Sequence, residues 1–347
     1  MRDGRTERRA VTIADVAAMA GVSTATVSRA LSEPAQLRAG TLARVTAAVR
    51  QSGYRPNIAA RTLRAGRAML ALVVVPDIAN PFFSDVLRGI EDELSQHRYG
   101  LLIGNLNNGR AREAQIVDVV RAGQVDGVLL LNGCVPRGDG QSLTQTGVPT
   151  VAICETVEGA LFPQVDVCNR EAARQAVAHL AALGHRRLAY VTGPARNVLE
   201  RERQAGFREG LTAAGLDGAC FLPGDFTFAA GAAAATMLLA QQPRPTAVFA
   251  ANDEMAIGML KTARRAGLEV PRDLSVIGFD GIEFADYVEP TLTTFRQPRR
   301  ELGQRGAALL VRSMLGEVIP RSDARLRLPA TLLVRDSTGP APKEDPA

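Results

Sequence analysis

Residues 12–31 read TIADVAAMAGVSTATVSRAL, and this stretch predicts two short helices joined by a tight turn. Thr12 and Asp15 have the spacing of a capping box, in which a hydroxyl and a carboxylate bind the first free amides of a helix. One apolar face follows at helical intervals and consists of Ile13, Val16, Ala17 and Ala20. Gly21 is expected to end this helix, because glycine adopts the left-handed conformation without a steric penalty.

The second helix is predicted to begin after Ser23, whose hydroxyl suits an N-cap. Its inward-facing side chains are expected to be Val27, Ala30 and Leu31. A helix-turn-helix would place the opposite, polar face in the DNA major groove, where Arg29 can bridge two guanine acceptors and Thr24 can meet a thymine methyl. The predicted DNA-contacting residues of this segment are Thr12, Ser23, Thr24, Ala25, Thr26, Ser28 and Arg29. An ordinary helical hairpin with a solvated polar face is the alternative interpretation.

Positive charge is concentrated near the start of the chain. Residues 1–67 hold twelve arginines and four acidic residues, a net charge of +8, whereas the whole chain carries +5. The remaining 280 residues therefore carry a net charge of −3. A basic segment on an acidic body favours binding to DNA, since arginine–phosphate contacts release condensed counterions. The arginines of residues 2–9 are instead interpreted as a solvated arm.

A third helix is predicted over about residues 41–52, ended by Gly53 and followed by Tyr54, which can pack back on the other helices. Its core-facing side chains are Leu42, Val45 and Val49. Three helices in under ~50 residues make a domain of marginal stability, which DNA or a dimer partner would help to order. Pro56 then suits the start of a helix over residues 56–64 that is too short to be stable alone.

Four motifs together resemble one known family of proteins. They are DVA at 15–17, GVS at 21–23, TVSR at 26–29 and ARTL at 60–63. From about Val11 to Val334 the chain is similar to the LacI/GalR-type bacterial transcription regulators. The resemblance implies a DNA-binding head, a hinge helix and a sensor body. It also implies that the hinge helices of two subunits pair in the minor groove, with Asn57, Ala60, Arg61 and Leu63 on the DNA. The alternative for Leu63 is that it packs on the sensor as a linker residue.

Beyond Met69 the sequence alternates short apolar runs with helical stretches, which predicts parallel sheets flanked by helices in an α/β body of two lobes. The resemblance makes this body similar to periplasmic binding proteins. Strands are predicted at 70–75, 101–105, 128–131, 150–154, 188–192, 219–222, 247–250 and 275–279. Helices are predicted at 83–97, 112–122, 170–183, 201–214, 228–241 and 253–266. The predicted domains are a helix-turn-helix head at 1–55, a hinge at 56–67, an effector-binding and dimerisation body at 68–337 and a disordered tail at 338–347.

Several classes of protein are disfavoured by the sequence. The arginine-rich N-terminus has no apolar segment and does not resemble a signal peptide, and no apolar run reaches the ~20 residues of a membrane-spanning helix. Four scattered cysteines and three scattered histidines predict buried thiols and no metal site. Motifs of nucleotide-, metal- and serine-dependent enzymes are missing, so neither catalysis nor a cofactor is expected. These features favour a cytoplasmic protein that is not an enzyme.

A ligand cleft is expected between the lobes, where parallel strands end. The carboxylates Asp77, Asp253 and Asp280 fall at such ends. Arg203 offers forked donors and Asp280 a pair of acceptors, a match for vicinal hydroxyls. By the resemblance, Phe82 and Phe226 are candidate ring-stacking walls. The full candidate set is Phe82, Phe83, Glu155, Asn197, Arg203, Phe226, Asn252 and Asp280. The alternative places Phe82 and Phe83 in the core and makes Asp280 the cap of a turn.

The expected effector is a nucleoside or a sugar, with a sugar acid also open. Two aromatic walls suit a planar base, and residues 23–31, 75–78 and 224–228 resemble a nucleoside-responsive branch of the family. Asn197, however, stands where purine-binding members have a second cleft arginine. The resulting hypothesis is a homodimeric repressor that binds a palindromic double-stranded operator, with a tetramer as the alternative assembly. The rival hypotheses are a cytosolic solute-binding protein with a basic head and a sugar-modifying enzyme.

Overall fold

The computed structural model describes residues 11–32, 34–54, 66–106, 109–320 and 322–343. The chain divides into two compact units, Met1–Ala68 and Met69–Ala347, called here the head unit and the core unit. No helix in the described ranges is both long enough and apolar enough to span a membrane.

The head unit contains three helices: α1 (Ile13–Ala20), α2 (Thr24–Ser32) and α3 (Ala39–Ser52). The predicted capping box is confirmed, because Thr12 Oγ1 accepts from the Asp15 amide while Asp15 Oδ2 accepts from the Thr12 amide at 2.8 Å. Gly21 ends α1 with φ 63°. The cluster at the centre of the head is small and apolar; its buried members are Val16, Ala17, Ala20, Val27, Ala30, Val45 and Ala48.

The prediction that Leu31 faces inward from α2 is wrong, because this residue is 40% exposed. Successive helical residues are rotated by roughly 100° about the helix axis. Val27 and Ala30 are buried at the centre of the three helices. Leu31, one residue after Ala30, is rotated away from that centre and is exposed to solvent. Only two of the three predicted apolar contacts of α2 are therefore made.

The first lobe of the core unit is built on a six-stranded sheet in which all neighbouring strands are parallel, in the order β13-β7-β6-β3-β1-β2. Its strands are β1 (Leu70–Val75), β2 (Gly100–Asn105), β3 (Gly127–Leu130), β6 (Thr150–Cys154), β7 (Gln164–Val167) and β13 (Arg325–Leu328). Its helices are α4 (Phe82–Gln96), α5 (Arg110–Arg121) and α10 (Arg299–Met314). A small hairpin, β4 (Arg137–Gly138) and β5 (Gln141–Ser142), lies beside α5.

The second lobe has a six-stranded sheet in the order β14-β12-β11-β10-β8-β9, parallel except for the β12–β14 pair. Its strands are β8 (Leu188–Val191), β9 (Cys220–Leu222), β10 (Ala247–Ala250), β11 (Ser275–Asp280), β12 (Thr293–Arg296) and β14 (Thr331–Leu333). Its helices are α6 (Asn169–Ala182), α7 (Val198–Ala213), α8 (Phe228–Leu239) and α9 (Asp253–Arg265). The chain passes between the sheets after β7, after β12 and after β13 within the described ranges.

The predicted strands and helices of the body are all present, with ends that agree within three residues. The sequence missed β7, β12, β13, β14 and the helix α10. The predicted disordered tail also needs correction for Thr338–Ala341. The Ala341 amide donates to the Leu183 carbonyl at 2.9 Å, and the Gly339 carbonyl lies 3.0 Å from His185 Nε2. These contacts hold the start of the tail on the second lobe.

Candidate functional sites: an exposed helix face and a cleft

The outward face of α2 presents the side chains of Thr24, Ala25 and Arg29, which are exposed, and of Ser28, which is half-buried. Ser23 and Thr26 serve the helix itself, because Ser23 Oγ accepts from the Thr26 amide at 3.2 Å and lies 2.9 Å from Thr26 Oγ1. A short, capped helix thus shows small side chains and one long cation to its surroundings. That geometry suits insertion into a groove lined with acceptors and phosphates.

The remaining predicted DNA contacts cannot be placed in the same way. Thr12 is engaged with Asp15 in the cap of α1. Asn57, Ala60, Arg61 and Leu63 lie outside the described residues, and their role in the hinge stays a prediction.

In the core unit, polar side chains lie at or just beyond the carboxyl ends of strands from both sheets, and parallel strands bring such ends to one edge of a sheet. These residues are Asp77, Asn132, Glu155, Asp225, Asn252 and Asp280. Three non-glycine residues at these ends have positive φ, namely Cys154 (68°), Phe226 (71°) and Asp280 (121°). Such strained conformations cluster at ligand-binding sites, where the surrounding structure enforces them. We call this region the cleft.

Arg203 on α7 anchors the second-lobe side of the cleft and is only 1% exposed. Its Nε donates to Asn169 Oδ1 at 2.9 Å, and its Nη1 donates to the carbonyl oxygen of Ala251. The guanidinium stacks 3.7 Å from the centre of the Phe279 ring, and Nη2 lies 3.8 Å from Asp280 Oδ1. Arg203 and Asp280, each predicted to contact a ligand, thus lie beside one another, and their contact with a ligand stays a prediction. One donor on Nε and one on Nη1 are already used inside the protein.

Asp280 and Asp253 form a buried acidic pair at the end of β11. Gln297 Nε2 donates to Asp280 Oδ1 at 2.7 Å. Burial raises the pKa of Asp280 to about 6, while the charge of Arg203 acts in the opposite direction. Burial and the nearby Asp280 raise the pKa of Asp253 well above its usual range, although Thr294 and the Ile282 amide both donate to Asp253. Asp280 therefore does more than cap a turn, since its carboxyl group lies beside the guanidinium of Arg203 and accepts from the side-chain amide of Gln297.

Glu155 and Asn197 connect the two lobes across the cleft. Asn197 caps α7 by accepting from the Leu199 amide at 2.8 Å, and its Nδ2 reaches both carboxylate oxygens of Glu155 at 3.2 Å. Glu155 directly follows β6 of the first lobe, and burial raises its pKa to about 7. The two residues that the sequence grouped only as candidates are thus hydrogen-bonded to each other.

The aromatic candidates are divided between the core and the cleft. Phe82 and Phe83 are buried in the main apolar cluster, edge to face with centroids 5.2 Å apart. Phe226 is half-buried, and its ring lies where a side chain on Gly193 would otherwise be. Asn252 caps α9 and donates from Nδ2 to the Phe226 carbonyl at 2.9 Å. Asn252 therefore fixes the loop that carries Phe226.

Three polar residues of this region were missed by sequence reasoning: Asn169, Glu254 and Gln297. Asn169 lies two residues after β7 and Gln297 directly follows β12, and the sequence predicted neither strand, so no strand end pointed to them. Glu254 lies in the first turn of α9 beside Asp253, and no local pattern distinguishes it from an exposed helix residue.

Two different families of known proteins match the head unit and the core unit. Residues 12–57 match the family described as bacterial regulatory proteins, lacI family, and residues 177–338 match the periplasmic binding protein-like domain. The HTH-type transcriptional repressor CytR of Escherichia coli K12 is 39% identical over 339 residues, covering 97% of this chain and 98% of that protein. The ribose operon repressor of the same organism is 32% identical and covers 94% of this chain and 99% of that protein.

A solved structure of the lac repressor dimer, bound to operator and the anti-inducer ONPF, superposes with a TM-score of 0.82 at 28% identity, covering 95% of this chain and 100% of that chain. The complex of the transcriptional regulator CelR with cellobiose superposes with a TM-score of 0.70 at 33% identity, covering 94% of this chain and 99% of that chain.

Proposed function

The chain belongs to the lacI family of bacterial regulatory proteins and is a transcription regulator, and we propose that it binds a palindromic operator as a homodimer and changes its operator affinity when a nucleoside or sugar occupies the cleft. The observation that carries this proposal is the exposed face of α2, a capped helix that presents Arg29 beside Thr24 and Ala25. The concentration of positive charge in residues 1–67 supports the same assignment.

Arg29 is the side chain of this face best suited to reading a base. We expect Arg29→Ala to weaken operator binding by roughly 1–3 kcal/mol and to relax the preference at one base pair. Fluorescence anisotropy with operators altered at single positions measures both effects. Equal weakening on every sequence would show that Arg29 contacts a phosphate and does not read a base.

Dimerisation is assigned to the core unit. Leu102 and Ile103 are exposed on β2, at the edge of the first sheet, and Phe284 and Tyr287 are exposed on the second lobe. On the second lobe, next in sequence to Tyr287, a groove of about 500 Å³ is lined by Ile257, Leu260, Lys261, Arg264, Arg265, Val288 and Glu289. Exposed apolar side chains beside such a groove suit burial by a second copy. Sedimentation of residues 68–347 at micromolar concentration is expected to give a dimer, and a monomer would contradict this assignment.

The ligand class is taken from the chemistry of the cleft and from the relatives. Asp280, Glu155 and Asn252 supply acceptors and amides for hydroxyl groups, while Phe226 offers an aromatic surface. A thermal-shift screen of nucleosides and sugars tests the proposal, because a ligand at ~100 times its Kd adds about 2.7 kcal/mol to stability. A cytoplasmic regulator is expected to return its ligand chemically unchanged. Turnover of a bound compound would favour the rival enzyme hypothesis, and failure to bind any DNA would favour the solute-binding one.

A further inference from the structure

Glu200 is a buried carboxyl group in the first turn of α7 and is only 3% exposed. Its Oε2 atom accepts two hydrogen bonds, one from the Gly193 amide at 2.6 Å and one from the Tyr190 hydroxyl at 2.9 Å. The side-chain amide of Gln204, one turn further along the helix, donates to Oε1 at 3.4 Å. A carboxylate has acceptors only, so the ionised group satisfies all three donors at once. These contacts hold the Glu200 side chain in one orientation.

The two donors on Oε2 tie the start of α7 to the strand that precedes it. Tyr190 belongs to β8, where its ring is fully buried and stacks on Phe207 with centroids 5.0 Å apart. Gly193 lies two residues beyond the end of β8, in the loop that leads to α7. Glu200 therefore connects the first residues of this loop both to a packed strand and to the helix that follows the loop.

The Phe226 ring rests on Gly193. A methyl group placed on Gly193 would overlap this ring, so the ring lies directly against the glycine backbone. Phe226 is half-buried, has a φ of 71° and accepts a hydrogen bond on its carbonyl oxygen from Asn252 at 2.9 Å. Asn252 thus holds the backbone of Phe226, and Gly193 supports its ring. A displacement of Gly193 would therefore move the aromatic surface of the cleft.

We propose that Glu200 is a positioning residue of the cleft: by holding the Gly193 amide, its carboxylate sets the place of the Phe226 ring and with it the affinity for the effector. This inference rests on the proposed function, because it assumes that Phe226 contacts the effector. Glu200 acts through the loop and does not touch the ligand. Loss of its acceptor oxygen leaves two buried donors unsatisfied, and the loop then shifts to find other partners.

Ionisation of Glu200 makes this arrangement sensitive to pH. Burial raises the pKa of its carboxyl group to about 7, although the hydrogen bonds from Gly193 and Tyr190 and the charge of Arg203 favour the ionised form. Tyr190 stays neutral in this range, because burial raises the pKa of its hydroxyl well above the usual value. As the pH falls through this window, the carboxyl group gains a proton and becomes a donor that faces donors. Effector affinity should therefore fall as the pH is lowered.

Glu200→Gln tests the pH dependence, because its amide keeps an acceptor oxygen for Gly193 and Tyr190 and does not titrate. The probes are the four common ribonucleosides, ribose and glucose, titrated by calorimetry into the full-length protein at pH 8 and pH 6. The tightest-binding probe should bind the variant within about threefold of wild type at pH 8. Between pH 8 and pH 6, wild type should lose about fivefold more affinity than the variant. Other cleft carboxyl groups titrate in both proteins and cancel in this comparison, so an equal loss would overturn the inference.

A double-mutant cycle tests whether Glu200 acts through Phe226. Glu200→Ala should weaken binding of the same probe at pH 8 by about tenfold in the wild-type background, but by less than about threefold in a Phe226→Leu background, where the ring is absent. Independent effects that multiply would overturn the inference. Glu209→Gln is the control on the same helix, because the Glu209 carboxylate pairs with Arg170 at the surface, and it should change the affinity at neither pH.

A measurement without ligand separates this inference from the proposed function. In protein labelled with ¹⁵N-glycine, the Gly193 amide signal, assigned by its loss in Gly193→Ala, should shift with an apparent pKa of about 7 in wild type and stay constant in Glu200→Gln. A wild-type signal that does not move between pH 6 and pH 8 would overturn the inference, whatever the probes show. If the signal titrates and no probe binds, the proposed ligand class fails, and the role of Glu200 in affinity fails with it.

Discussion

Replacement of Arg203 by alanine removes several buried contacts at once. The variant loses the donor to Asn169 Oδ1, the donor to the Ala251 carbonyl and the cation stacked on Phe279. It also leaves Asp280 beside Asp253 without the positive charge that offsets their repulsion. Arg203→Ala is therefore expected to destabilise the core unit as well as to abolish the response to effector.

The magnitude follows from the individual terms. A hydrogen bond to a charged group contributes about 1.5–3 kcal/mol, and removal of one partner of a buried charge pair costs about 3–5 kcal/mol. The terms overlap, because the same guanidinium makes all of the contacts. We therefore expect a loss of about 4 kcal/mol, a large part of the roughly 5–15 kcal/mol that is typical of the stability of folded proteins.

Urea unfolding of the full-length protein measures this loss. With a slope of about 3 kcal/mol/M, a loss of about 4 kcal/mol moves the midpoint by more than ~1 M. Arg201→Ala is the control on the same helix, because within the described part of the chain the exposed Arg201 pairs with the exposed Glu158 alone, at 3.3 Å. That substitution should cost no more than about 1 kcal/mol. A loss below about 1 kcal/mol for Arg203→Ala, or one equal to the control, would refute the reasoning.

Three further predictions address the cleft and the hinge. Asp280→Asn should abolish the response to effector and leave operator binding intact in reporter and gel-shift assays; a response at unchanged effector concentration would exclude Asp280 from the site. Because the folded-state pKa of Glu155 is raised from 4.5 to about 7, this group destabilises the fold progressively as pH rises through that window, by at most about 3 kcal/mol. Glu155→Gln should therefore raise the melting temperature relative to wild type by more at pH 8 than at pH 5. An equal rise at both pH values would contradict the raised pKa of Glu155. Leu63→Ala should keep the dimer and ligand affinity but lose operator affinity and DNA bending together, whereas unchanged bending in a circular-permutation gel would reject an intercalating wedge.

Local patterns in the sequence were sufficient to predict most of the helices and strands. The capping box at Thr12 and the glycine end of α1 are fixed by residues within one or two turns, so their chemistry can be read directly. The strand β7 (QVDV at 164–167) is different, because it is short and alternates polar with apolar residues. It is completed by parallel neighbours on both sides, one of them more than 150 residues later in the chain. Such long-range pairing leaves little local signal.

The sequence named candidate residues for the cleft but did not predict the contacts that these residues make with one another. Arg203 and Asp280 were each proposed as ligand contacts from the resemblance and from their donor and acceptor groups, but their position beside one another was not predicted. How many donors of Arg203 remain available depends on Asn169 and Ala251, which are distant in sequence. Likewise, the charge around Glu254 is the sum of side chains from both lobes. These are properties of the assembled site, and no short stretch of sequence contains them.

Selection of DNA by the intact protein tests the central claim most directly. Full-length protein is incubated with a random pool of double-stranded DNA, and the bound fraction is sequenced after several rounds. A dimer that reads DNA through the α2 faces of two heads should enrich a pseudo-palindrome with two related half-sites. Enrichment of a site without two-fold symmetry, or of no sequence at all, would contradict the account.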